Sequence, residues 1–364
     1  MLPANINKHP TPPPLVRVAG SHHQIGQQIG EATSNLVRHS LDNAHAVFDQ
    51  TYEYLQLTWE SAKIQASKYI PFAQERYPLY IEELKGIAEG AGVSFEDLCV
   101  LNAMEAVTTD ALHLTKCTSF AVNGDRTTNG HVLVGHNEDW LPEDEPDVYV
   151  LHVTPDDAPP FLAMTYGGLL PNIGFNAAGI AQCCDSVYPS DCRIGIPRVI
   201  ISRAVLAART PSEAIRHMLA PLRAAGYNHL LAHQSGELYN VEVSARQFAV
   251  LYAQNGQLIH TNHYLDPAMQ KVEDESDELI STRVRYFRAE RLVGNTEKHT
   301  TQTLQTIQRD HVNYPDSICN HATNESDPLD REKTITAMIM DLTAGQMHIT
   351  WGNPCENLYH TYQL

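Results

Sequence analysis

At Lys116–Cys117 the chain changes texture, and this limits the folds open to it. Upstream, residues 20–106 read as helix. In the stretch from Ser21 to Asp49, Ile25, Ile29, Ala32, Leu36 and Leu41 recur at helical spacing. Gly26 and Gly30 fall on the same face, which predicts close approach to a neighbour. Further helices are expected at 54–70 and at 78–90, the latter with Pro78 at its start and glycine at its end. Ser94 with Asp97 three residues on marks another start.

From Cys117 onward, short alternating apolar runs are separated by Asn123-Gly124, Asn129-Gly130, Ser235-Gly236, Asn255-Gly256 and Ala344-Gly345, the punctuation of hairpins. Helices interrupt the strands near 197–220, where Thr210, Pro211 and Glu213 form a start signal, and at 281–293. Helices first, then many antiparallel strands with inserted helices, predict an α+β protein with helical layers against a large sheet pair. No repeat or composition break divides the chain. Residues 1–14 read as an extended, Pro-rich arm.

Charge and cysteine usage narrow the function. A formal charge of −18 opposes nucleic-acid binding and mildly favours a cationic substrate. Seven cysteines at irregular spacing are not a secreted disulfide framework. The first 18 residues carry no apolar signal region and no apolar run reaches membrane length, so the expectation is a cytoplasmic protein with no membrane association.

Among motifs, His22-His23, His260-x-x-His263 and Cys183-Cys184 with Cys192 are the candidate metal ligands. None has zinc spacing, so the expectation is no metal and no cofactor. Phosphate-binding glycine loops and the Gly-x-Ser-x-Gly elbow are missing from the sequence. Cys117 remains, at a strand start. By residue type alone it reads as a small buried hydrophobe. A hairpin, however, returns the chain to Asn137 and Asp139, which share a strand face and can lie beside its sulfur.

Lys116-Cys117-Thr118-Ser119-Phe120, followed by Gly135-His136-Asn137-Glu138-Asp139-Trp140, resembles the autoproteolytic acyltransferase/hydrolase family typified by fungal acyl-coenzyme A:6-aminopenicillanic acid (isopenicillin N) acyltransferase. The stretches "GSHHQIGQQIGEA", "IGFNAAGIA", "IHTNHYL" and "VNYPDSIC" fit in order, so the resemblance spans nearly the whole chain. It implies a four-layer αββα N-terminal-nucleophile hydrolase sandwich. It also implies self-cleavage at Lys116–Cys117 into an α-chain, 1–116, and a β-chain, 117–364, which remain together as one αββα domain. Cys117 would then be the nucleophile, with its freed amine as general base. Asp139 would orient that amine, while Asn262 and the Ala121 backbone N–H would donate to the oxyanion. The reaction implied is hydrolysis of a small linear amide through an acyl-enzyme. The alternatives are acyl transfer to an amine, or an inactive binding protein of the same fold.

Departures from the pattern point to the substrate. Lys116 replaces a glycine of the penicillin enzyme, Glu138 an aromatic residue, and Asn320 an arginine. Asp185 takes an asparagine position near the pocket. Glu138, Asn320 and Asp185, together with Asn137, are expected to line a more acidic site for a cationic amide. β-Alanyl amines, the substrates of another branch of the family, fit that description.

Overall fold

The computed structural model describes residue 9 and residues 11–108, 116–274, 279–323 and 331–364. Most of the Pro-rich arm lies outside them. The helices are α1 (His22–Gln50), α2 (Tyr52–Leu55), α3 (Trp59–Ser67), α4 (Ile70–Arg76), α5 (Pro78–Ala91), α6 (Phe95–Leu101), α7 (Met104–Val107), α8 (Arg198–Val205), α9 (Pro211–Met218), α10 (Leu279–Gly294) and α11 (Thr301–Gln308).

One sheet has eight strands, in the order β1 (Leu15–Gly20), β4 (Val148–Pro155), β5 (Phe161–Tyr166), β6 (Ile173–Asn176), β7 (Ile180–Asp185), β8 (Tyr227–His233), β9 (Leu238–Val243), β10 (Phe248–Tyr252). The other has six: β11 (Gln257–His260), β2 (Lys116–Val122), β3 (Leu133–Trp140), β12 (Lys333–Asp341), β13 (Gln346–Ile349), β14 (His360–Gln363). Neighbouring strands are antiparallel except β1, which lies parallel to β4.

Period-two alternation in β2 assigns its two faces. Phe120 and Val122, with Leu133, Ile259 and Ile339, pack against Ala289 and Val293 of α10 and Leu304 and Ile307 of α11. Ala121, Val134, Met338 and Met340 join the main core instead, where β2 faces β7 and β8 of the other sheet. α1 packs over β1, β4 and β5, and α9 over β8 and β9. The result is helix, sheet, sheet, helix, as expected from the sequence.

The helix signals read at Ser94, Thr210 and the end of α5 operate as expected, and a capping box the sequence reading did not single out opens α1. Ser21 and Gln24 form a capping box, Ser94 accepts the Asp97 N–H and Thr210 the Glu213 N–H, and Gly92 closes α5 in the left-handed region. α1 and α5 touch backbone to backbone. A Cβ on Gly26 would sit 1.9 Å from the Glu83 carbonyl oxygen, and one on Gly86 would sit 2.2 Å from that of His23. Beneath this contact Arg203 of α8 makes two 2.8 Å hydrogen bonds to the fully buried Glu83, which His22 also contacts at 2.8 Å. Burial pushes the Glu83 carboxyl up, but Arg203 and His22 together outweigh it and hold the group below its ordinary range.

Candidate active site

Cys117 is the second residue of β2, and the alternation that turns Ala121 inward turns Cys117 and Ser119 inward too. The register pairs Cys117 with Glu138, Ser119 with His136, and Thr118 with Asn137. The residue across from the thiol is therefore Glu138, and its Oε2 lies 3.7 Å from the Cys117 Sγ. Asn137 and Asp139 occupy the opposite face. The Asn137 amide donates to the carbonyls of Gln308 (3.1 Å) and Ile318 (2.7 Å), on the α11 side. The expectation that the Asn137 or Asp139 side chain flanks the sulfur fails by one residue of register, which exchanges the two faces. Asp139 still meets the sulfur through its backbone N–H.

A chain of polar groups runs from the thiol across both sheets. His136 Nε2 lies 2.8 Å from Glu138 Oε2, and His136 Nδ1 lies 2.9 Å from Ser119 Oγ. The Ser119 hydroxyl donates to Asp185 Oδ1 at 2.7 Å. Its single proton is spent on that bond, so His136 Nδ1 must be the donor to the serine oxygen. All of these side chains are buried.

Asn262 follows β11 and reaches the backbone of the Lys116–Cys117 junction. Its Oδ1 accepts the Cys117 N–H at 2.7 Å, and its Nδ2 donates to the Ser186 carbonyl at 3.0 Å. Arg285 of α10, a residue the sequence did not single out, holds the same place from the helical side. It donates to the Cys117 carbonyl (2.6 Å), Thr118 Oγ1 (3.0 Å) and Asn262 Oδ1 (2.9 Å). Lys116 Nζ is bonded to Glu332 at 3.2 Å.

Burial, first, and the Glu138, Asp185 and Asp139 carboxylates push the Cys117 thiol well above its ordinary pKa, opposed by the Asp139 backbone N–H. Asp139 is also pushed well up, with burial again the first cause. Arg285 and the hydroxyl of Thr334, which donates to Asp139 Oδ1 at 2.6 Å, act in the opposite direction. Asp139 Oδ2 is buried and lacks a hydrogen-bond partner.

Glu138 also lines a cavity of ≈ 50 Å³ with Trp140, Asp144, Tyr166 and Tyr227, and among the described residues no lysine or arginine borders it. Cys117 is not among its lining residues. Asp144, missed by the sequence reading, accepts from Trp140 Nε1 at 2.6 Å and Asn43 Nδ2 at 2.8 Å. Three residues expected at the substrate do not line this cavity. Asp185 is enclosed by Ser119, Asn228 and His260, Asn137 faces α11, and Asn320 bonds Thr334 and the Glu332 carbonyl. Ala121 lies four residues along β2 from Cys117, about 13 Å at strand rise. It is paired on both sides, with Val134 and Leu258. Its N–H therefore faces a ladder and cannot be a second oxyanion donor.

The model of the family described as acyl-coenzyme A:6-aminopenicillanic acid acyl-transferase matches residues 126–356, beginning downstream of Cys117. The Emericella nidulans protein "acyl-coenzyme A:6-aminopenicillanic-acid-acyltransferase 40 kDa form" is 26% identical over 310 residues, 84% of each chain. A beta-alanyl-dopamine/carcinine hydrolase of Drosophila melanogaster is 26% identical over 223 residues, 56% of each chain. Among solved structures, penicillin V acylase from Agrobacterium tumefaciens aligns with a TM-score of 0.44 at 15% identity, over 65% of this chain and 83% of its own. Among the described residues, no helix is long and apolar enough to cross a membrane.

Proposed function

The chain belongs to the acyl-coenzyme A:6-aminopenicillanic acid acyl-transferase family, and on that premise we propose that it is a self-processing cysteine hydrolase of small linear amides. The observation that carries this reading is the grip on the Lys116–Cys117 junction. Asn262 holds the nitrogen that would depart, and Arg285 holds the next carbonyl. The thiol lies within reach of a carboxylate that can take its proton.

In the intact chain the Cys117 sulfur attacks the Lys116 carbonyl carbon and its proton passes toward the Glu138–His136 pair. The C–N bond breaks, the nitrogen gains a proton, and a thioester links Lys116 to Cys117. Water then releases the Lys116 carboxylate and the thiol. The new amine of Cys117, with a reference pKa near ~8, becomes the base for its own thiol. In this reading Asp139, one of whose buried carboxyl oxygens lacks a hydrogen-bond partner, receives the ammonium form. The thiolate attacks a substrate amide carbonyl, an acyl-enzyme forms as the amine leaves with a proton, and water completes the turnover. Asn262 Nδ2, which has one hydrogen beyond its bond to Ser186, serves the oxyanion.

The cavity favours a cationic substrate. Glu138 and Asp144 supply carboxyl groups, and Trp140, Tyr166 and Tyr227 supply aromatic faces that attract an ammonium ion. A β-alanyl amine has that chemistry. An amine acceptor in place of water gives the acyltransferase variant of the same acyl-enzyme. Mass spectrometry of the purified protein tests the core of the reading. Two fragments meeting at Lys116/Cys117, lost in Cys117→Ala, support it, whereas an intact wild-type chain with no amidase activity refutes it. Faster turnover of a neutral N-acyl amine than of a β-alanyl amine, unaffected by Asp144→Asn, overturns the cationic preference alone.

A further inference from the structure

Away from the cleft, four side chains that the mechanism does not use converge on one point. They come from three separate places: His311 just after α11, Cys319 and His321 from the segment leading to β12, and Cys355 from the segment between β13 and β14. The His311 and His321 Nε2 atoms are 3.1 Å apart. Cys319 Sγ and Cys355 Sγ lie 3.5 and 3.4 Å from His321 Nε2, and 3.5 Å from each other. One ligand atom from each residue fits within 4.8 Å of all the others.

These separations match the edges of a coordination tetrahedron. With Zn–S about 2.3 Å and Zn–N about 2.0–2.1 Å, a regular tetrahedron has S–S, S–N and N–N edges of about 3.8, 3.6 and 3.3 Å. Every measured edge falls slightly inside its ideal, as expected for ligands gathered around a small centre. A disulfide does not explain the cluster. The sulfurs are well beyond the ~2.05 Å bond length, and a disulfide leaves the inward aim of two imidazoles unaccounted for.

We propose that His311, Cys319, His321 and Cys355 bind a zinc ion in a closed, structural Cys2His2 site. Four protein ligands leave no open position for a substrate or water, so the ion holds structure and does not catalyse. Two thiolates balance its charge, which suits a half-buried setting. Supporting contacts are present. Asn353 Nδ2 donates to Cys319 Sγ at 3.6 Å and to the Asn320 carbonyl at 2.7 Å, and Tyr314 packs against both imidazoles.

The site has a link to the cleft. Asn320, between two ligands, donates its N–H to Thr334 Oγ1 at 2.9 Å and accepts the Thr334 N–H at 3.0 Å. The Thr334 hydroxyl then donates to Asp139. The ion thus braces the peptide that holds the partner of Asp139. The sequence reading passed over this set because its members are spread from 311 to 355 and only Cys319-x-His321 is local.

The test begins with metal content. Full-length protein, purified under reducing conditions from zinc-supplemented cells without chelator, should carry about one zinc per chain. The double variant Cys319→Ser/Cys355→Ser should carry none. Because that variant can fail to fold, a second measurement uses the Cys117→Ala chain, in which the Cys117–His136–Glu138 group has lost its thiol. Stripped by chelation and titrated with cobalt(II), it should develop thiolate-to-cobalt charge transfer and tetrahedral ligand-field absorption that saturate at one equivalent and are abolished by added zinc. Absence of such absorption in reduced protein overturns the proposal. So does a Cys319–Cys355 disulfide in the freshly isolated chain, read by non-reducing peptide mapping. Neither readout depends on self-cleavage or amidase activity.

Discussion

Cys117 and Asp139 both favour their protonated forms in the intact chain, each because burial penalises its charge. For Asp139 this has a definite sign. A carboxyl that binds its proton more tightly folded than unfolded contributes stability below the ordinary range near ~3.9. That stability is lost as pH rises, at about 1.4 kcal/mol per pH unit until the folded group ionises. In the Cys117→Ala background, Asp139→Asn should therefore raise the thermal midpoint at pH ~7 and leave it nearly unchanged near pH ~4. An unchanged or lower midpoint at neutral pH contradicts the assignment. Glu138→Gln removes the acceptor nearest the thiol and should slow cleavage by about 10²-fold or more, followed as intact mass against time. The resemblance named Cys117, Asp139 and Asn262 as candidates, but Glu138 as the neighbour of the sulfur was not legible in the sequence. A two-residue turn fixes hairpin register, whereas the 123–132 connection contains its own turn at Gly124–Arg126 and leaves the parity of β3 open. Arg285 was illegible for a different reason: it reaches Cys117 from a helix 168 positions away.

Among the elements, the α1–α5 pair shows what pattern reading does well. Gly26 and Gly30 announced a close approach, and the partner surface carries Gly86 and Gly90. Gly86→Ala places a methyl against the His23 carbonyl, with no flexible side chain to yield. The expected cost is about 1–3 kcal/mol, visible as a lower denaturant midpoint at unchanged slope. Arg203→Met strands the Glu83 carboxylate, leaving only His22 beside it, and should cost about 3–5 kcal/mol in the same measurement. A cost below 1 kcal/mol would show that α8 and α5 do not depend on this pair. The elements missed by sequence reading are β1, β14 and α11. β1 and β14 are short edge strands whose order comes from a distant partner. α11 is eight residues of mostly Thr and Gln, with only Leu304, Ile307 and Gln308 buried. Propensity alone does not predict such segments.

In the whole molecule, the four layers follow from the sequence order of helices and hairpins, but which piece supplies which layer is set by long-range pairing. Residues upstream of Lys116 provide α1 and α5 on the outer face and also β1, inserted beside β4 in the eight-stranded sheet. After cleavage at Lys116–Cys117, the two pieces should therefore co-elute in size exclusion and separate only in denaturant. Elution of the 117–364 piece by itself under native conditions contradicts the proposed arrangement. The position of β1 also has a thermodynamic consequence. While the chain is whole, tethering keeps β1 near β4 at a high effective concentration, and unfolding is a one-molecule equilibrium. Once the bond is cut, unfolding releases two molecules, and their reunion depends on how often they meet. The cleaved protein should melt at a temperature that falls on dilution, while the Cys117→Ala chain melts at the same temperature at every concentration.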